Sequence, residues 1–201
     1  YVGLIKARLA EHAAGQQVID LLHEVPDFNP HAGAHLLAAF ATGFPAGSVF
    51  LAVVDPGVGT PRDAVVAMAG GRWFVGPDNG LLSVVAARHA DTRLWRIIWQ
   101  PEYLSATFHG RDLFALIAAD IARGAFPTDK LCPVDKLNVE FDAGDLARVI
   151  FVDHYGNAWT GMRGVPQNAR VSAADKLFKH SQSFGFVGKG EGFWFNNSIG
   201  L

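Results

Sequence analysis

The sequence predicts an α/β fold: an amino-terminal α/β/α layered domain followed by a small carboxy-terminal β-barrel domain. Three observations carry that reading. Half of the 201 residues are apolar, enough for a real core. Through the first two thirds, short β-branched runs alternate with helical patterns, the signature of an α/β layer. After Pro127 the pattern changes to short strands between Gly-rich turns, with no internal repeat and no low-complexity segment.

In order along the chain, Val18 to Leu22 reads as a strand and Gly33 to Ala41 as a helix. Val49 to Val54 is a buried strand ending at Asp55. Val65 to Ala69 and Trp73 to Val75 form a strand pair turned through Gly70-Gly71, because two adjacent glycines supply the positive φ of a tight hairpin. Leu81 to Arg88 is helical, Leu94 to Ile98 a strand, and Asp112 to Ala122 a helix whose Leu113, Leu116, Ile117 and Ile121 share a face until Gly124 stops it. The stretch from Leu131 to Gly144 carries Pro133, several charges and little periodicity, which puts the domain boundary near Lys136, giving domains 1–136 and 137–201. Beyond it, Val149 to Val152, Ala158 to Gly161, Arg170 to Ser172 and Phe193 to Phe195 are expected strands. So small a domain is expected to dock on the first domain or on another subunit.

Composition excludes several functions. Seventeen Lys and Arg against nineteen Asp and Glu leave no basic stripe for a phosphate backbone, so nucleic acid is not an expected partner. One cysteine, Cys132, forms no internal disulfide and builds no Cys-rich zinc site, which suits a reducing compartment and makes the cytoplasm the expected location. No apolar run has the length of a membrane span. The opening at Tyr1, without initiator Met or charged leader, reads as a trimmed product.

Three turns of the first domain hold the candidate chemistry. Val53-Val54-Asp55-Pro56-Gly57-Val58-Gly59-Thr60-Pro61-Arg62 runs from an apolar strand into a turn with two Pro and two Gly, placing Asp55 and Arg62 at the strand end where α/β folds bind ligands. An ordinary strand-end turn with a surface Arg fits the same residues. The loop lacks the Lys-Ser or Lys-Thr of a phosphate loop. In Gly76-Pro77-Asp78-Asn79-Gly80, Asp78 or Asn79 reads as a helix N-cap. Thr107-Phe108-His109-Gly110-Arg111-Asp112 puts His109 at a positive helix end that favours the neutral imidazole, with Arg111 and Asp112 as a local ion pair and cap. His109 alone fits a structural role equally. His31 and His35 have i, i+4 spacing but no H-E-x-x-H carboxylate and no third ligand, so no metal is expected. In the second domain, Val152-Asp153-His154-Tyr155-Gly156-Asn157-Ala158-Trp159-Thr160 and Gly190-Glu191-Gly192-Phe193-Trp194-Phe195-Asn196-Asn197-Ser198-Ile199-Gly200 set aromatic faces beside amides and hydroxyls. That combination suits a purine and an amino-acid head group, and it suits equally a barrel core with polar turns.

Five segments, VVDPGVGTPR, GPDNGLL, TFHGRDLFA, VDHYGNAWT and GEGFWFNNSIGL, resemble in order and approximate spacing those of the S-adenosyl-L-methionine (SAM) hydroxide adenosyltransferase family, relatives of fluorinase and chlorinase. The resemblance runs from Tyr1 to Leu201. It implies an α/β domain with a small β-barrel, a homotrimer with active sites between subunits, no cofactor, and hydrolysis of SAM to adenosine and L-methionine. It assigns water activation to Asp55, Arg62 and His109, with Asp55 also at the substrate. It assigns substrate binding to Asn157 and Ser198, the methionine amine to Asp153, and adenine stacking to Tyr155, Trp159 and Phe195. The family's opening Thr-Asp-Phe-Gly segment, whose Asp grips the ribose hydroxyls, and its closing adenine-contacting strand are expected outside Tyr1 to Leu201, so the second domain reads as truncated at its end. Halogenases of the same superfamily, using chloride or fluoride, replace His109-Gly110 and lack the full Asp, Arg, His set; retention of all three, with Gly110 leaving room beside them, favours water. The alternatives are such a halogenase or a non-catalytic adenosine- or SAM-binding module.

Overall fold

The computed structural model describes residues 1–201, which divide into two compact units, Tyr1–Gly144 and Asp145–Leu201. The division falls after Gly144 rather than near Lys136 because residues 137–143 stay with the first unit. Leu137 is buried in its core, the Phe141 amide donates to Ser83 Oγ at 3.0 Å, and Arg88 Nε donates to Ala143 O at 3.1 Å.

The first unit opens with α1 (Val2–His12), which the hydrophobic pattern did not predict because it buries no residue completely; good helix formers such as Leu4, Lys6, Ala7 and Leu9 account for it. Residues 18–22 form no strand, since no neighbouring strand offers them a ladder and Ile19 is 58% exposed. Helix α2 (Pro30–Ala41) starts three residues earlier than its apolar face suggests, because Asn29 Oδ1 accepts from the Ala32 amide at 3.0 Å and Pro30 occupies the first turn.

A five-stranded sheet follows, built from β1 (Val49–Leu51), β2 (Ala64–Ala69), β3 (Arg72–Pro77), β4 (Arg93–Ile97) and β5 (Leu131–Val134) in the spatial order β1-β3-β2-β4-β5. Gly70 and Gly71, at φ 56° and 72°, turn β2 into β3 as expected. Between β3 and β4 lies α3 (Ser83–Ala87), and between β4 and β5 a π-helical turn (Gly110–Phe114) that runs into α4 (Ala115–Ala122). Strand β1 is parallel to β3 and every other pair is antiparallel. The unpredicted β5 carries Pro133 and pairs only with β4, the edge position where a missing amide is tolerated.

Alternation along the strands separates two cores. Val65, Ala67, Ala69 and Phe74 meet α2 and α3 on one face; Val66, Val75 and Ile97 meet Phe114 of the π-helical turn and Ile117 and Ile121 of α4 on the other. The first unit is therefore the expected three-layer α/β/α arrangement. No helix is long and apolar enough to cross a membrane.

The second unit has β6 (Leu146–Val152) antiparallel to β7 (Ala158–Gly161), and a separate sheet of β8 (Val171–Ala173), β9 (Lys176–His180) and β10 (Phe193–Trp194). Neither sheet closes on itself, so the expected barrel is not formed here. Two and three short strands cannot satisfy a closed ladder. The β8–β9 hairpin turns through Ala174-Asp175, and β9 was not foreseen.

Candidate active site

The carboxyl ends of the parallel neighbours β1 and β3 lie side by side, and the chain leaves each in a turn. From β1 it enters the loop 55–62, which folds on itself through the Val58 amide to Asp55 O at 3.3 Å and Thr60 Oγ1 to Gly57 O at 2.6 Å. Gly59 combines a φ of 79° with a close approach: a β-carbon there would stand 2.5 Å from Ala106 O. This contact presses the loop against the segment leading to His109.

Asp55, Arg62 and His109 consequently meet. Arg62 Nε donates to Asp55 Oδ1 at 2.8 Å, Arg62 Nη2 donates to Asp55 Oδ2, and Nη2 also donates to His109 Nδ1 at 3.2 Å. The guanidinium lies 5.3 Å above the Phe114 ring. Side-chain exposures of 9% for Arg62 and 5% for Asp55 mark a desolvated pair rather than the surface Arg of an ordinary turn. Of the five Arg62 N–H groups, the fourth, on Nη1, donates to Asp63 O at 3.0 Å and the fifth has no protein acceptor.

His109 is neutral near pH 7. Burial pulls its pKa below the ordinary histidine value and the Arg62 cation adds to the shift, against the opposing pull of Asp55 and Asp112. Because Nδ1 accepts from Arg62, the proton of the resting ring sits on Nε2. Gly110 does not open space beside this cluster: a β-carbon there would face Ile5 and Val53. Arg111 and Asp112 pair as expected, at 2.6 and 2.8 Å, and Asp112 also accepts from the Ser105 amide at 3.1 Å.

The turn after β3 differs from its expected capping role. Asn79 Oδ1 accepts from the Leu81 amide at 3.2 Å, but Asn79 Nδ2 donates to Val54 O at 2.8 Å, next to Asp55. Helix α3 has no side-chain cap. Asp78 is buried and accepts from the Asn138 amide at 2.9 Å; its burial raises the carboxyl pKa despite the bonds from Asn138 and Val139, and Asp63 and Glu140 raise it further. Phe114 and Asn79 were missed as site residues, and the available signal for Asn79 was its position just beyond a strand parallel to the one that leads to Asp55.

In the second unit, Asp153 organises the turn between β6 and β7. Its Oδ1 accepts from the Tyr155 and Asn157 amides at 3.0 and 2.9 Å, and its Oδ2 from Asn157 Nδ2 at 2.8 Å and Trp159 Nε1 at 3.2 Å. These bonds, the one from Asn157 first, hold its pKa below the usual carboxylate range. Trp159 is half-buried edge-on to Phe151, whereas Tyr155 is 81% exposed beside His154. Ser198 is exposed in a turn fixed by Asn197 Oδ1, which accepts from the Ile199 and Leu201 amides at 3.1 and 2.9 Å. Phe195 stacks on Phe193 at 5.7 Å. Asp153, Tyr155 and Asn157 thus share one turn with Trp159 at the start of β7, and Phe195 and Ser198 follow β10.

Comparison with known proteins identifies the family. The SAM hydroxide adenosyltransferase N-terminal domain matches residues 1–131, and the corresponding C-terminal domain matches residues 147–201. Proteins named (R)-S-adenosyl-L-methionine hydrolase from Thermus thermophilus and Salinispora tropica are 36% and 39% identical, over 100% and 95% of this chain and 84% and 79% of theirs. A fluorinase from Actinopolyspora mzabensis is 27% identical over 72% of this chain and 61% of its own. A crystal structure of an uncharacterized conserved protein from Thermotoga maritima superposes with a TM-score of 0.87 at 33% identity, covering 100% of this chain and 84% of that one. Motif order, the assembled Asp-Arg-His cluster and domain matches along nearly the whole chain lead to one conclusion: the chain belongs to the SAM hydroxide adenosyltransferase family.

Proposed function

We propose that the protein hydrolyses S-adenosyl-L-methionine to adenosine and L-methionine by attack of water on the ribose C5′, and that, as the names of its relatives specify, it takes the R epimer at sulfur. The observation that carries this reading is the contact of Arg62 with both Asp55 and His109. Methionine leaves a sulfonium as a neutral thioether, so no general acid is needed; a better nucleophile than free water is.

The 3.2 Å Nη2 to Nδ1 contact is long for a bond from a cation, and a water entering there replaces it. Its proton passes to Nδ1 of the neutral imidazole. Its oxygen takes the N–H groups of Arg62 and attacks C5′, and the C5′–S electron pair goes to sulfur. Asp55 holds the guanidinium in plane by its two bonds. The water proton leaves His109 for solvent after turnover. In the second unit, Asn157 and Ser198 bind the amino-acid part, and the substrate ammonium reaches Asp153 by competing with Asn157 Nδ2 and Trp159 Nε1. Tyr155, Trp159 and Phe195 supply faces for adenine. We place the active sites between the subunits of a homotrimer, and no cofactor takes part.

Turnover in heavy-oxygen water is expected to place the label in the adenosine 5′-hydroxyl. Unlabelled adenosine, or a 5′-halo product in the presence of chloride or fluoride, overturns the proposal, and binding without product identifies a sensor module.

A further inference from the structure

The turn Gly76 to Gly80 grips the catalytic loop at both ends. At the entry, Asn79 Nδ2 donates to Val54 O at 2.8 Å, one residue before Asp55. At the exit, the Asp78 amide donates to Asp63 O at 3.0 Å, the same carbonyl that accepts from Arg62 Nη1 at 3.0 Å. The fit is close: a β-carbon on Gly76 would stand 2.5 Å from Ala52 O. The turn is itself anchored, by the Asn138 amide on the Asp78 carboxylate and by Asn138 Nδ2 on Asp63 Oδ2, each at 2.9 Å. The single side-chain bond across this junction to the strand end is that of Asn79, whose Oδ1 stays on the Leu81 amide and so fixes which way its Nδ2 points.

We propose that Asn79 is a positioning residue for the reaction: its side-chain amide holds Val54 and so sets the register in which Asp55 presents Arg62 to His109. This rests on the hydrolytic reading above. Asn79 acts through the loop, since its side chain bonds to Val54 O and the Leu81 amide rather than to Asp55, Arg62 or His109. A slip at Val54 moves Asp55, and with it the guanidinium that must meet both the water and His109. Misplacement of about 1 Å in such an arrangement is worth about a hundredfold in rate.

The test compares Asn79→Ala with Asn79→Asp, which keeps the size and the acceptor for Leu81 but puts a carboxylate against Val54 O. Both are expected to lower kcat by about 10- to 100-fold with KM within about threefold. The His109 ring, followed by NMR titration of the whole protein, faces Arg62, Asp55 and Asp112; losing the Arg62 contact moves its titration up toward the ordinary histidine range. The control is Asn29→Ala, which removes the cap of α2 and lowers the melting temperature with kcat and the His109 titration unchanged. Wild-type kcat and an unshifted His109 titration in Asn79→Asp overturn the proposal, as does an equal loss of kcat in Asn29→Ala. If the unaltered protein turns over no SAM, the functional reading fails while the His109 titration still decides the positioning role.

Discussion

His109 gains its chemistry from what surrounds it. Arg62 occupies Nδ1 and burial disfavours the imidazolium, so the ring is a neutral base whose protonated form is reached only at lower pH than for a free histidine. The kcat/KM profile is therefore expected to hold its plateau into mildly acid solution and to fall only as pH drops through the lowered pKa. Stability has the same sign: the unfolded chain binds this proton more readily, so the contribution is present above about pH 6.5 and is lost as pH falls. His109→Ala is expected to lower kcat by about two to four powers of ten with substrate affinity retained, measured by single-turnover kinetics beside calorimetric binding. Full single-turnover rate in that variant rules out a base at this position. Asn157→Ala is expected instead to weaken SAM binding by about 1–3 kcal/mol, because it removes an amide that holds Asp153 and that, on the proposed function, also binds the substrate.

Two hairpins with two-residue turns show what a sequence reveals about its elements. Gly70-Gly71 announces the first, since glycine adopts positive φ without strain. Ala174-Asp175 conceals the second: both residues sit at positive φ, 48° and 60°, where an L side chain is crowded, so no turn signal preceded β9. Replacing the pair by Asn-Gly is expected to raise the stability of the folded protein by about 1–2 kcal/mol, read as a higher denaturation midpoint, and an unchanged midpoint counts against the turn assignment. The same logic divides the rest of the fold. Strands β2 and β3 were legible because pattern and turn chemistry agree, and helix α2 by its apolar face, its Asn29 cap and Pro30 start going unread. Residues 18–22 have strand composition without a partner ladder, and α1 forms without a buried face. Strand β5 hid behind Pro133, which is harmless at an edge. Asp55, Arg62 and His109 were legible as strand-end and helix-start residues, but their meeting depends on Gly59 lying against Ala106, a long-range approach that local pattern does not encode.

At the scale of the molecule, the proposed chemistry is spread over two compact units, with Asp55, Arg62 and His109 in the first and Asp153, Asn157 and Ser198 in the second. The second unit exposes Tyr155 at 81%, Phe184 at 84% and Phe186 at 75%, large aromatic surface of the kind that closed oligomers cover. Light scattering of the proposed homotrimer is expected to give three times the 21.6 kDa of one chain, and a monomer at micromolar concentration refutes it. Sharing of sites is tested separately by mixing subunits. If each site takes His109 from one subunit and Asn157 from its neighbour, His109→Ala chains, impaired in the chemical step, and Asn157→Ala chains, impaired in binding and assayed at SAM well below their weakened affinity, form trimers in which about a quarter of the sites receive both intact residues after random exchange. Activity should then rise toward that fraction of wild type once the mixture is dissociated and reassembled. If both residues of a site come from one chain, every site in every mixed trimer carries one of the two lesions and no activity returns, whatever the mixing ratio.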